Sequence, residues 1–282
     1  MVVIAELLKP RVDYVFKRIF GYIGNEEITA NLLSAILGEE IVTVNLDCNT
    51  FLQQDIFDDK LGILDVRAKT NDGIEFDIEM QIAEQKSIVK RILYYWSKMY
   101  SKQIKSGEDY EKLNRCVVIL IADFELNELE DIKKYITKWV IKEKYYGKRV
   151  LTDVFELCIL ELPKVSKYYE KNELDTWVKF IKNPEVISMS EEKNNAVKKA
   201  KKVLEDISND EKERYIAELR EKYILDQNSF IATGYDKGLK DGIEQGIEQT
   251  NKEIAKKMKI KGLDLKIISE LTGIALDELK KI

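Results

Sequence analysis

The stretch LGILDVRAKTNDGIEFDIEMQIA, residues 61–83, constrains this chain more than any other. Two alternating runs flank Asn71-Asp72-Gly73, and Gly73 can take the positive φ that a three-residue hairpin loop with a bulge requires. With that loop, Thr70 faces Ile74, Lys69 faces Glu75, Arg67 faces Asp77 and Asp65 faces Glu79. The other face carries Leu64, Val66 and Ala68 against Met80, Ile78 and Phe76. A two-residue loop would shift the register by one, move Asp65 off the face of Glu79 and oppose apolar with charged side chains. The three-residue register is therefore the expected one.

In this register Arg67 and Lys69 meet acidic partners, while Asp65 and Glu79 face each other beside Gln81. Like charges directly opposite destabilise a hairpin. One reading is plain charge pairing on a solvated face, where ion pairs contribute little. The other is a divalent cation between the two carboxylates, which would relieve their repulsion and take them as oxygen ligands; two carboxylates, waters and a substrate phosphate are a usual set for Mg²⁺.

Asp65, a turn and Glu79-Met80-Gln81 resemble the metal-binding core of the PD-(D/E)XK nuclease superfamily. More closely, the chain resembles the Rpn family of recombination-promoting nucleases, also described as PD-(D/E)XK nuclease family transposases. Three further signatures stand in the right order: Asp13-x-x-Phe16-Lys17 with Phe20-Gly21, then Arg91, Tyr95, Tyr100, Gln103, Gly107, Tyr110 and Leu113, then Leu160-Glu161-Leu162-Pro163-Lys164. The resemblance covers residues 9–165 well and the C-terminal part more loosely. It implies an α/β fold with a PD-(D/E)XK restriction-endonuclease-like core, a mixed central sheet flanked by helices, followed by a helical C-terminal extension.

The same resemblance implies a DNA endonuclease using Mg²⁺ or Mn²⁺, with Asp65 and Glu79 as metal ligands and Gln81 completing the catalytic set. Gln81 stands where the superfamily usually has lysine; a glutamine positions water or a phosphate oxygen but supplies no positive charge. Lys60, Lys86 or Lys90 are candidates for that charge. Asp13 is a candidate accessory acid, with charge compensation at a helix N-terminus as its alternative. Substrate contacts are expected from Lys17, Lys60, Lys86, Lys90, Arg91, Tyr95 and Gln103. A solvated basic helix face and ordinary helix packing account for the lysines and tyrosines equally well.

Elsewhere the elements follow from periodicity. Helices are expected near residues 9–22, 25–37, 84–106 and 174–181, and strands near 41–46, 115–123, 135–141 and 150–162. The segment 190–230 is highly charged and free of proline and glycine, and reads as surface-laid helix. Gly234, Gly238, Gly242 and Gly246 then recur at every fourth position, each costing a helix about 1 kcal/mol relative to alanine. Close approach of a partner helix would offset that cost; a flexible tether is the alternative. The last segment, 254–282, reads as three short helices resembling a helix-turn-helix, with Asp277 and Glu278 where a recognition helix would meet DNA, so that protein contact is the expected role.

The expected organisation is a nuclease-like domain at 1–183, a charged helical segment at 184–230, a glycine-ridged self-association helix at 231–253 and a helix-turn-helix-like tail at 254–282. Histidine is absent, which excludes imidazole bases and His metal sites, and the net charge of −5 confines any nucleic-acid contact to local patches. Cys48, Cys116 and Cys158 show no metal-ligand spacing, and with no signal peptide they point to a reducing cytoplasm. No apolar run approaches the ~20 residues of a membrane span. A catalytically weak or inactive oligomeric interaction module of a mobile-element or phage-defence system is the competing reading, and ribonuclease action a third.

Overall fold

The computed structural model describes residues 6–47, 66–83, 87–166, 172–190 and 192–281. The chain divides into two compact units, Met1–Tyr223 and Ile224–Ile282.

The first unit opens with α1 (Asp13–Phe20) and α2 (Glu26–Leu37). Gly38 ends α2 in the left-handed region, φ 70°, and its N–H caps the Ser34 carbonyl, as the sequence predicts. The strand expected at 41–46 is shorter: only β1 (Asn45–Leu46) joins the sheet. Ile41 is held back because its N–H donates to Ser34 Oγ at 2.9 Å, tying it to α2. The hairpin forms β2 (Val66–Lys69) and β3 (Glu75–Gln81) around Gly73, whose φ is 97°. Its register pairs Val66 with Ile78, Arg67 with Asp77, Ala68 with Phe76 and Lys69 with Glu75, the three-residue-loop alignment. Asp65 and Leu64 lie outside the described residues, as does the segment 48–59.

Next come α3 (Ile88–Ser101), β4 (Cys116–Ala122), β5 (Ile136–Trp139), β6 (Phe155–Glu161) and α4 (Glu173–Lys182). α3 ends short of the expected Ser106. There the Gln103 side chain turns to β4 instead, donating to Cys116 Sγ and accepting from the Asn114 N–H at 2.7 Å. The sheet order is β1-β2-β3-β4-β6-β5. β3, β4 and β6 run parallel at its centre, and the outer pairs are antiparallel. β4 is buried at every residue, which explains its unbroken apolar sequence. The result is the expected α/β architecture, a mixed sheet between helical layers.

Two cores flank the sheet. On one face Val15, Phe16 and Phe20 of α1, Leu32 and Leu33 of α2, and Trp177 and Phe180 of α4 pack against Val66, Phe76, Ile78, Val117 and Ile119. α5 (Asn195–Asn209) closes this core with Val197, Ala200 and Leu204, so the charged segment after Pro184 contributes one buried face rather than only a surface layer. On the other face Ile88, Ile92 and Met99 of α3 pack against Val118, Leu120, Leu157 and Ile159. Cys116 and Cys158 are buried core residues, and burial pushes each thiol up to about 12.

The 50-residue α6 (Glu211–Ile260) supplies residues to both units. In the first, Tyr14 Oη and Arg18 Nε both donate to Glu213 at 2.8 Å. In the second, Gly234, Gly238, Gly242 and Gly246 lie on continuous helix with open space where a Cβ would stand. Beside them Ile231, Tyr235, Leu239, Ile243 and Ile247 are exposed at every fourth position. α7 (Leu265–Thr272) starts at Asp264, whose carboxylate accepts from the Lys266 N–H, and α8 (Leu276–Leu279) starts at Ala275, as expected. Ile268, Ile274 and Leu279 form a small core with Ala255. Among the described residues no helix is long and apolar enough to cross a membrane.

Candidate active site

Alternation along β3 sends Phe76, Ile78 and Met80 into the core under α1 and α2, and so turns Asp77 and Glu79 to the α3 face. That face is not solvated. β4 lies alongside, with Glu79 aligned to Leu120, and α3 packs above it, leaving Asp77 0 % and Glu79 3 % exposed. The expectation of surface charge pairing therefore holds only at the hairpin's outer end, where Lys69 Nζ meets Glu75 at 2.9 Å. Deeper in, Arg67 Nη2 stands 3.9 Å from Asp77 Oδ2, and Arg91 Nη2 stands 3.8 Å from Glu79 Oε2. Both separations are ionic contacts longer than a direct hydrogen bond.

Arg91 reaches Glu79 because α3 begins where it does. Ser87, in the left-handed region at φ 64°, ends the connection from β3, and Ile88 and Ile92 then lock the first turns onto β4. Arg91 and Tyr95, four residues apart, share one helix side. Arg91 Nε donates to Tyr95 Oη at 3.1 Å, and the guanidinium sits 5.3 Å from the Tyr95 ring centroid. Its side chain is 26 % exposed, so it spans the distance from a buried carboxylate to water.

Gln81 ends β3 and is partly exposed; its carbonyl accepts the Asp123 N–H at 2.9 Å. Asp123 in turn holds Arg11 Nη1 at 2.9 Å. Asp77, Asp123 and Arg11 were not among the residues expected at a site. Asp123 had a readable signal, an acid directly at the carboxyl end of a buried parallel strand; Arg11 had none, since its partner is 112 residues away.

The remaining candidates are distributed unevenly. Asp13 begins α1, but its carboxylate is gripped by Arg220, with Nε at 3.0 and 2.9 Å and Nη2 at 2.6 Å. Lys17 is buried, 5 % exposed, with its stem beside Gly21 and Val66: a Cβ on Gly21 would come within 3.1 Å of Lys17 Cγ and of Val66 Cγ2. Lys90 is exposed on α3. Gln103 binds Asn114 and Cys116, and Cys116 aligns with Glu75, so it stands at the end of β3 opposite to Gln81. Asp65, Lys60 and Lys86 lie outside the described residues.

Among the described residues no group of three or more acidic, cysteine or histidine side chains is gathered in metal-binding fashion. The donors this face does offer are carboxylate and amide oxygens from Glu79, Asp77 and Gln81. Such hard donors suit Mg²⁺ or Mn²⁺ and not a metal that favours nitrogen or sulfur. A divalent ion at Glu79 would also offset the cost of keeping its carboxylate away from water.

A protein-family model described as PD-(D/E)XK nuclease family transposase matches residues 10–234. No curated protein and no solved structure gives a significant match.

Proposed function

The chain belongs to the PD-(D/E)XK nuclease family transposases, and on that premise we propose that it is a metal-dependent endonuclease hydrolysing phosphodiester bonds of DNA during recombination or transposition. The observation that carries this reading is the burial of Glu79 at the carboxyl-terminal part of β3, facing α3 with an arginine beside it. Asp65 and Glu79 would hold Mg²⁺ or Mn²⁺, which when bound polarises the scissile phosphate and lowers the pKa of an attacking water. Gln81 positions water or a phosphate oxygen through its amide. Lys90, exposed on the same helix as Arg91, meets the nucleic-acid backbone, and Lys60 and Lys86 are assigned the same role. Asp13 is left out of the ligand set because its carboxylate already holds Arg220. The buried free thiols of Cys116 and Cys158 suit a reducing cytoplasm.

The test is nicking of supercoiled plasmid with Mg²⁺ or Mn²⁺ by the intact chain, Asp65→Ala and Glu79→Ala. Metal-dependent nicking by the wild type and its loss in both variants is the expected result. Full cleavage by Glu79→Ala would remove the central claim.

A second reading rests on the exposed row from Ile231 to Ile247 beside the glycine groove. Ridges and grooves at four-residue spacing interlock between helices, so self-association through this segment makes the chain an oligomer, and an oligomeric interaction module if cleavage is absent. Sedimentation of the intact chain against Leu239→Lys reads this out: a variant as large as the wild type argues against it.

A further inference from the structure

Arg91, expected among the substrate contacts, stands beside Glu79 instead. It is a permanent cation, 3.8 Å from Glu79 Oε2, oriented by its Nε–H bond to Tyr95 and partly open to water. Gln81 itself supplies no positive charge to this end of β3. A guanidinium and a divalent ion beside the same carboxylate repel each other, and the mobile partner of the two is the arginine side chain.

We propose that Arg91 is a substrate-binding residue that exchanges partners: it neutralises Glu79 in the metal-free protein and moves to the substrate phosphate when a divalent ion takes Glu79. This rests on the reading of Glu79 as a metal ligand. Metal and DNA then bind with positive coupling, because the phosphate accepts the cation that the metal displaces, and by linkage each raises the affinity for the other. The ion pair with Glu79 also keeps Arg91 from contacting nucleic acid while metal is absent. Tyr95 is the pivot: its hydroxyl and ring hold the guanidinium near the helix side throughout.

The test uses the full chain with Arg91→Met and Arg91→Lys. Mn²⁺ is titrated calorimetrically without DNA, and a fluorescent duplex is titrated by anisotropy in EDTA and in Ca²⁺. Arg91→Met is expected to bind Mn²⁺ about tenfold tighter, since a cation close to the carboxylate has gone. It is expected to bind the duplex about tenfold more weakly in Ca²⁺ and equally well in EDTA. Arg91→Lys, which keeps the charge, stays near the wild type in Mn²⁺ affinity. Unchanged or weaker Mn²⁺ binding by Arg91→Met overturns the exchange, as does an equal loss of duplex affinity in EDTA and Ca²⁺. If neither the wild type nor Arg91→Met binds Mn²⁺, the metal site itself is wrong and the exchange falls with it. Wild-type binding with an unresponsive Arg91→Met sinks the exchange alone.

Discussion

Asp13, the first acidic residue of α1, is held by Arg220. Three short hydrogen bonds join the two groups, and their side chains are only 14 % and 10 % exposed. Removing one partner of a buried ion pair costs about 3–5 kcal/mol, because the other is left desolvated. The slight exposure here lets water reach the orphaned group, so Asp13→Asn and Arg220→Met are each expected to cost about 2–4 kcal/mol. The remaining links from α6 to the first segment, Glu213 to Tyr14 and Arg18 and Glu221 to Lys9, stay in place in all variants. The double variant should therefore recover much of the summed loss, with a coupling energy of about 2 kcal/mol by equilibrium urea unfolding. Additivity within about 0.5 kcal/mol would refute the reasoning. Mn²⁺ affinity supplies the second axis: Asp13→Asn should leave it unchanged. A tenfold loss in Asp13→Asn with none in Arg220→Met would return Asp13 to the accessory acid that the family resemblance implies.

Two further outcomes follow from buried groups. Lys164 is 3 % exposed and donates to the Leu129 and Ile132 carbonyls and to Glu161, while Glu161 also accepts the Leu126 N–H at 2.8 Å. Lys164→Met should cost about 3–5 kcal/mol in urea unfolding, and Glu161→Gln in the same background should restore part of it, because the buried charge left behind is then gone. The thiols of Cys116 and Cys158, pushed up to about 12 from 9.0, stay protonated in the fold while the unfolded chain ionises. The folded protein then binds more protons than the unfolded one above pH 9, so stability is intact below that pH and falls as pH rises toward 12. Substituting both by alanine should flatten that part of the alkaline slope, measured by urea midpoints from pH 8 upward; an unchanged slope would show that the thiols do not contribute.

The hairpin was legible because its information is local. Asn71-Asp72-Gly73 needs a positive φ at glycine, and a period of two then fixes which residues face each other, so the pairing of Arg67 with Asp77 and Lys69 with Glu75 follows within a span of a few residues. The stop of α2 at Gly38, the start of α7 at Asp264 and the buried run of β4 were legible for the same reason. Four motifs in order were enough to identify the family; in the structure they fall on α1, on β3, on α3 with the turn after it, and at the end of β6.

What the sequence alone left open was solvent. Alternation puts Asp77 and Glu79 on one face but says nothing of whether water, β4 or α3 covers it, and the choice between a surface salt-bridge ladder and a buried carboxylate site turns on that cover. The partners of the charged groups were equally closed to local reading. Asp13 meets Arg220 across 207 positions and Arg11 meets Asp123 across 112, while Lys17, expected among the substrate contacts, is buried beside Gly21. Periodicity records which way a side chain leaves its own element; which element stands opposite is decided by packing, and packing sets both the desolvation and the ion pairs from which this site is made.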